Sequence, residues 1–146
     1  MPGGAIAVAS DHAGLDLKEI LKRDLQEAGH EVLDLGTHST QSVDYPDFGR
    51  AMADAIASGR ASRGVLVCGT GIGISIAANR NPEVRAALVH DATTARLSRL
   101  HNDANVVAFG QRVIGVETAR EALKAFLETK WEGGRHAARV DKLSKG

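Results

Sequence analysis

Five strand-length runs built almost wholly of apolar residues, each followed by a stretch with helical spacing, confine this chain to a narrow set of folds. Residues 5–9 form the first run, and Leu17, Ile20, Leu21, Leu25 and Ala28 then recur at i, i+3, i+4, i+8 and i+11 before Gly29. Residues 32–35 close on Gly36, and after a polar loop over 37–44, Pro46 stands in the first turn of a helix that buries Phe48, Met52, Ala55 and Ile56. Residues 65–68 precede a short helix over 74–79. The run 86–89 precedes a helix capped by Asp91, with Ala95, Leu97 and Leu100 turned inward. Residues 105–109 and a last helix over 116–127, burying Ala119, Ala122, Leu123 and Phe126, complete the order. Strands that are apolar on both faces must be covered on both, so the order predicts an α/β fold with a five-stranded parallel sheet between two helical layers. Ligands of such sheets bind beyond the carboxyl ends of the strands, beside a point where the strand order reverses. Asp11-His12, Cys68 through Gly73, His90-Asp91 and Gly110-Gln111-Arg112 each follow a strand and are expected at that edge.

At 146 residues the chain reads as one domain, 1–146, with a Gly-rich basic stretch from about 131. Lys+Arg and Asp+Glu both number 18, a balance that speaks against a nucleic-acid or membrane-surface partner. The one cysteine rules out an internal disulfide and a cysteine-based zinc site, and fits a reducing, cytoplasmic compartment. Neither a transmembrane span nor a signal peptide is expected, because the apolar runs are strand-length and no basic-then-apolar segment opens the chain.

Chemistry concentrates where the third run meets a turn, at Cys68-Gly69-Thr70-Gly71-Ile72-Gly73. Glycines at 69, 71 and 73 let the backbone take positive φ and approach a ligand with several N–H groups pointing one way. Such a turn at a helix start attracts negative charge and favours a thiolate at Cys68. Spacing eliminates several nucleotide and phosphate motifs. The dinucleotide fingerprint needs a glycine at position 74, which is Ile74; the P-loop needs a lysine that this loop lacks; and a cysteine phosphatase needs an arginine, again where Ile74 stands. A cradle for a small anion, or for an oxyanion formed in a reaction, survives. So does a buried structural cysteine ahead of a tight turn.

A phosphorylated sugar held with its C2 hydrogen facing Cys68 would suit this site, the thiolate acting as base and the amides of Gly69, Thr70, Gly71, Ile72 and Gly73 holding the enediolate oxygen. His101 is a candidate second acid/base group for opening the cyclic sugar, with Asn102 beside it to bind a hydroxyl. Arg135 and Arg139, four apart in the basic stretch, and Arg112 have the bidentate geometry that phosphate needs. Each also has a plainer reading: His101 and Asn102 as a helix end, Asp11-His12 as a cap, Arg112 as a loop charge, and Arg135 with Arg139 as a solvated tail. No metal site is expected, since the six histidines include no pair at short ligand spacing.

Together, Ser10-Asp11-His12-Ala13-Gly14, Asp44-Tyr45-Pro46, the segment from Cys68 to Asn79, the segment from Leu97 to Val106, and Glu132-Gly133-Gly134-Arg135-His136 resemble type B ribose-5-phosphate isomerase, over nearly the whole chain and in order. That family also includes galactose-6-phosphate isomerase subunits. The resemblance implies a Rossmann-like three-layer αβα sandwich and a metal-independent, cofactor-free aldose-ketose isomerase. It also implies a homodimer or dimer of dimers with its sites at the subunit interface. It gives Cys68 the role of base, His101 that of ring-opening acid/base and Thr70 a place near the ring oxygen. Asp11, His12 and Asn102 would contact substrate, Gly69 through Gly73 would hold the enediolate, and Arg112, Arg135 and Arg139 would gather the phosphate. Some members replace the cysteine and use a glutamate as base; here Cys68 is present and position 75 is Ser75. The expected substrate is D-ribose 5-phosphate, with allose 6-phosphate, galactose 6-phosphate and erythrose 4-phosphate as alternatives, and a non-catalytic sugar-phosphate sensor as the alternative of another class.

Overall fold

A computed structural model describes residues 4–145. Strand β1 (Ala5–Ser10) leads through a 3-10 turn (His12–Gly14) into α1 (Leu15–Glu27), followed by β2 (Val32–Asp34), α2 (Tyr45–Ala57), β3 (Ala61–Cys68) and α3 (Ile72–Ala78). The chain continues through β4 (Ala86–Leu88), α4 (Ala92–Asn102), β5 (Val106–Gly110) and α5 (Val116–Glu128), then a 3-10 turn (Gly134–His136) and α6 (Ala137–Leu143). All strands are parallel in the order β2-β1-β3-β5-β4. The chain runs outward from β1 to β2 and then crosses back to β3, so the strand order reverses between β1 and β3. Ser10 pairs with Val67 and Cys68 with Gly110, which brings Asp11, Gly69 and Gln111 off three adjacent strands at nearly one level.

Strand alternation divides the interior into two cores. Val8, Val65, Val67, Val107 and Phe109 face Leu21, Leu25, Leu123 and Phe126 on one side. Ala7, Ala9, Leu66 and Ala108 face Met52 and Ile74 on the other, and Cys68 belongs to this second face. The expected αβα sandwich and five-stranded parallel sheet are thus what forms. Among the described residues no helix is long and apolar enough to cross a membrane.

Several details depart from the periodicity. Helix α3 starts at Ile72, two residues earlier than expected, because Gly71 takes a left-handed φ of 79° and completes the turn at once. Leu97 and Leu100 are only half-buried, whereas Ser98 and Arg99 turn inward. Arg99 is 3% exposed because its guanidinium donates to the carbonyls of Thr129 and Ala104 and to Asp103, and lies 5.9 Å from the Phe126 ring. Phe48, Ile56 and Ile20 are likewise half-buried, and Ala28 is exposed. The basic stretch after 131 is helical from Ala137 to Leu143 with no buried residue in that helix, while His136 in the turn before it is buried.

Lys18, fully buried on α1, has no counterpart in the periodicity. Its ammonium donates to Asp34 Oδ1 and to the Thr37 carbonyl, both at 2.8 Å, and lies 3.2 Å from exposed Glu19. Burial alone would raise the Asp34 carboxyl. Hydrogen bonds from Lys18, the Gly36 N–H and Lys22 outweigh that effect and hold it below the usual carboxylate range. Asp34→Asn leaves the buried ammonium short of an anion and is expected to cost about 3 kcal/mol at neutral pH. Because the native pKa is depressed, the gap is complete above the ordinary value of about 4 and closes as pH falls through the native one. Urea melts of both proteins at pH 7 and pH 3 check this.

Candidate active site

At the reversal point the end of β1 folds tightly against β3. Gly14 sits so close to the Val67 carbonyl that an added Cβ would stand 2.5 Å from its oxygen, and the Asp11 carboxylate accepts the Gly14 N–H at 3.1 Å. The Val43 N–H donates to His12 Nδ1 at 3.1 Å. A ring nitrogen that accepts carries no proton, so the neutral ring holds its proton on Nε2 and remains a donor there. The loop over 37–44 thereby orients His12.

Cys68 ends β3 with 4% exposure, and the Gly71 N–H donates to its Sγ at 3.1 Å. Only glycine suits position 71: besides the positive φ, a Cβ would come within 2.6 Å of Leu88 Cδ1 and 2.8 Å of the Phe109 carbonyl carbon. The next amide, Ile72 N–H, donates to Thr70 Oγ1 at 3.2 Å. Just after β5, the Arg112 N–H donates to the Gly69 carbonyl at 3.0 Å, and its Nη1 would stand 3.2 Å from a Cβ at Gly69. The Tyr45 ring lies against Gly73, where a Cβ would meet it at 2.4 Å. Tyr45, Cys68, Gly69, Thr70, Gly73 and Arg112, with Asp11, His12, Ile72 and Ile76, line an open cleft of about 470 Å³.

His101, Asn102, Arg135 and Arg139 lie elsewhere. Helix α4 starts beyond the carboxyl end of β4 and runs back along the sheet, so its last turn sits at the opposite edge, roughly 15 Å along the helix axis. His101 stacks on His136 with ring centroids 4.5 Å apart, and Trp131 flanks His136 at 6.2 Å. Arg135 Nε donates to His136 Nε2 at 3.2 Å, and the Glu132 carboxylate lies 3.8 Å from the same nitrogen. Burial, then the neighbouring Arg135 and His101, push the His136 imidazole below its ordinary pKa. Asn102 lines a second hollow of about 380 Å³ with Arg85, Ala86 and Leu143. Asp91 caps α4 by accepting the Thr94 N–H at 2.7 Å and does not line the Cys68 cleft. The expected site residues therefore form two groups at opposite ends of one sheet. Sequence reading passed over Tyr45 and Ile76 as site-lining residues. It also missed the grouping of Glu132 and His136 with His101, which a spacing scan cannot see because His101 lies about thirty residues upstream.

Comparison with known proteins places this fold and cleft among the α/β isomerases. The Ribose/Galactose Isomerase family model matches residues 6–143. Ribose-5-phosphate isomerase B of Escherichia coli (strain K12) is 46% identical over 139 residues, covering 95% of this chain and 93% of that protein. D-erythrulose-4-phosphate isomerase of Pectobacterium atrosepticum is 42% identical over 140 residues, covering 95% and 92%. The structure of Clostridium thermocellum ribose-5-phosphate isomerase B superposes with a TM-score of 0.95 at 48% identity, covering 97% of this chain and 95% of that one. The chain belongs to the ribose/galactose isomerase family, and it is an isomerase.

Proposed function

We propose that this isomerase interconverts D-ribose 5-phosphate and D-ribulose 5-phosphate through an enediolate, with Cys68 as the base. The observation that carries the reading is the Cys68 sulfur at the reversal point of the sheet, oriented by the Gly71 N–H and faced by Asp11, His12 and Arg112. As a thiolate, Cys68 takes the C2 proton of the open-chain aldose. The C2–H electron pair forms the C1–C2 double bond and the C1 carbonyl oxygen becomes negative. The O2 proton passes to that oxygen, leaving the charge on O2; as the C2 carbonyl forms, the C1–C2 electron pair takes the proton back from Cys68 at C1, giving the ketose. With the Gly71 and Ile72 amides already engaged, those of Gly69, Thr70 and Gly73 serve the developing oxyanion. Asp11, His12 Nε2 and Asn102 hold the hydroxyls, and Thr70 lies near the ring oxygen.

A second copy of the chain completes the site. His101, which would open the ring by moving a proton from the anomeric hydroxyl to the ring oxygen, lies at the far edge from Cys68 in its own chain, as do Asn102, Arg135 and Arg139. Tyr45, Ile72 and Ile76 at the cleft rim are 43%, 50% and 60% exposed, an apolar border suited to a subunit contact. A homodimer, alone or paired, brings the two groups together and gathers Arg112, Arg135 and Arg139 around one phosphate. Arg139→Ala is expected to raise KM by about tenfold or more with kcat nearly unchanged, since a phosphate bond is shared by ground and transition states. Steady-state kinetics read this directly.

The deciding experiment measures turnover of ribose 5-phosphate by EDTA-treated protein beside allose 6-phosphate, galactose 6-phosphate and erythrose 4-phosphate. Highest kcat/KM on the pentose supports the assignment. The likeness to D-erythrulose-4-phosphate isomerase favours a four-carbon substrate as the second reading, and preference for that sugar would replace the pentose while keeping the Cys68 chemistry.

A further inference from the structure

We infer that His101, Glu132 and His136 form a binding site for a first-row transition dication of the zinc class, and that its occupancy silences the enzyme. The three side chains offer two imidazole nitrogens and a carboxylate oxygen, all within 4.8 Å of one another. Ligands of a tetrahedral zinc lie 2.0–2.2 Å from the metal and hence about 3.3 Å from each other. His136 Nε2 and the Glu132 carboxylate are already 3.8 Å apart. His136 is held by burial, whereas Glu132 is exposed and His101 half-buried, so rotation of those two closes the set. The Arg135 N–H donates into His136 Nε2, which marks that nitrogen as the one bearing a free lone pair and placing the ring proton on Nδ1. A metal ion would take the place of that donor.

The donor set also selects the ion. Two imidazoles and one carboxylate suit zinc, cobalt or nickel and are too nitrogen-rich for magnesium or calcium. Three protein ligands leave a fourth position open. The guanidiniums of Arg135 and Arg139 oppose a dication and keep the site from being a permanent structural one. Silencing rests on the role proposed for His101 above: a nitrogen bound to metal cannot move a proton. Binding itself does not depend on that role.

The test titrates metal-free, full-length protein with Zn²⁺ by calorimetry and with Co²⁺ by visible absorption. One ion per chain is expected, with d–d bands and no thiolate-to-cobalt charge transfer. Glu132→Gln is expected to weaken Zn²⁺ binding at least about tenfold while metal-free turnover stays unchanged. Zn²⁺ should inhibit the unsubstituted enzyme, reversibly with EDTA, at the concentration where calorimetry shows binding. Absence of binding, a thiolate band reporting Cys68 as ligand, or unchanged affinity in Glu132→Gln would each overturn the site. Binding as described without inhibition would overturn the silencing. Because binding is read without turnover, failure of ribose 5-phosphate as substrate leaves the metal result standing.

Discussion

Cys68→Ala is expected to lower kcat on the substrate by about 10³–10⁴-fold, with KM changed little and the fold intact. Alanine fits the buried space at the end of β3, and what disappears is the thiol proposed to hold the carbon-bound proton between C2 and C1. Cys68→Ser retains a hydrogen-bond acceptor for the Gly71 N–H but supplies a hydroxyl that does not ionise at neutral pH, so it should fail nearly as badly. The distinguishing readout is exchange of the C2 hydrogen with deuterated solvent, which should vanish in both variants. A Cys68→Ala protein that keeps more than a tenth of its turnover would remove the thiol from the mechanism and return it to a structural role.

The second large effect concerns the division of the site between two edges of the sheet. Cys68→Ala and His101→Ala should each be nearly inactive in the proposed homodimer. Mixed, unfolded and refolded together in equal amounts, they should regain about a quarter of the wild-type rate. Half of the dimers then contain one chain of each kind, and in each of those one of the two sites draws an intact Cys68 from one subunit and an intact His101 from the other. Refolded mixtures that stay inactive would mean that both groups of one site come from the same chain, against the topology of α4. The measurement separates a composite site from a cleft that works alone, because no single-variant defect can imitate recovery on mixing.

Much of this arrangement was legible in the residues. The apolar runs at β1, β3 and β5 are buried on both faces and could only be central strands of a parallel sheet, so the location of Asp11, Cys68 and Arg112 on one edge followed from order alone. Gly71 was legible too, since a strand end running into alternating glycines needs a left-handed turn. Weaker signals misled where polar side chains carry packing duty. In α4, apolar spacing nominated Leu97 and Leu100, yet Arg99 turns inward because backbone carbonyls at the end of α5 and after α4 need its donors. Lys18 reads as an ordinary charge on a helix surface, and only the approach of Asp34 and the Thr37 carbonyl makes its burial tolerable.

What the sequence by itself determined was the layered α/β fold and the chemical character of the strand ends, because burial of apolar runs and the conformational demands of glycine are local consequences of residue type. Only the tertiary structure decided which of those groups share a space. Helix α4 carries His101 to the far edge from Cys68, and the turn after Trp131 carries Glu132 and His136 to meet it. Both outcomes depend on where crossover helices deliver their ends in three dimensions, a relation between distant segments that no spacing along the chain records.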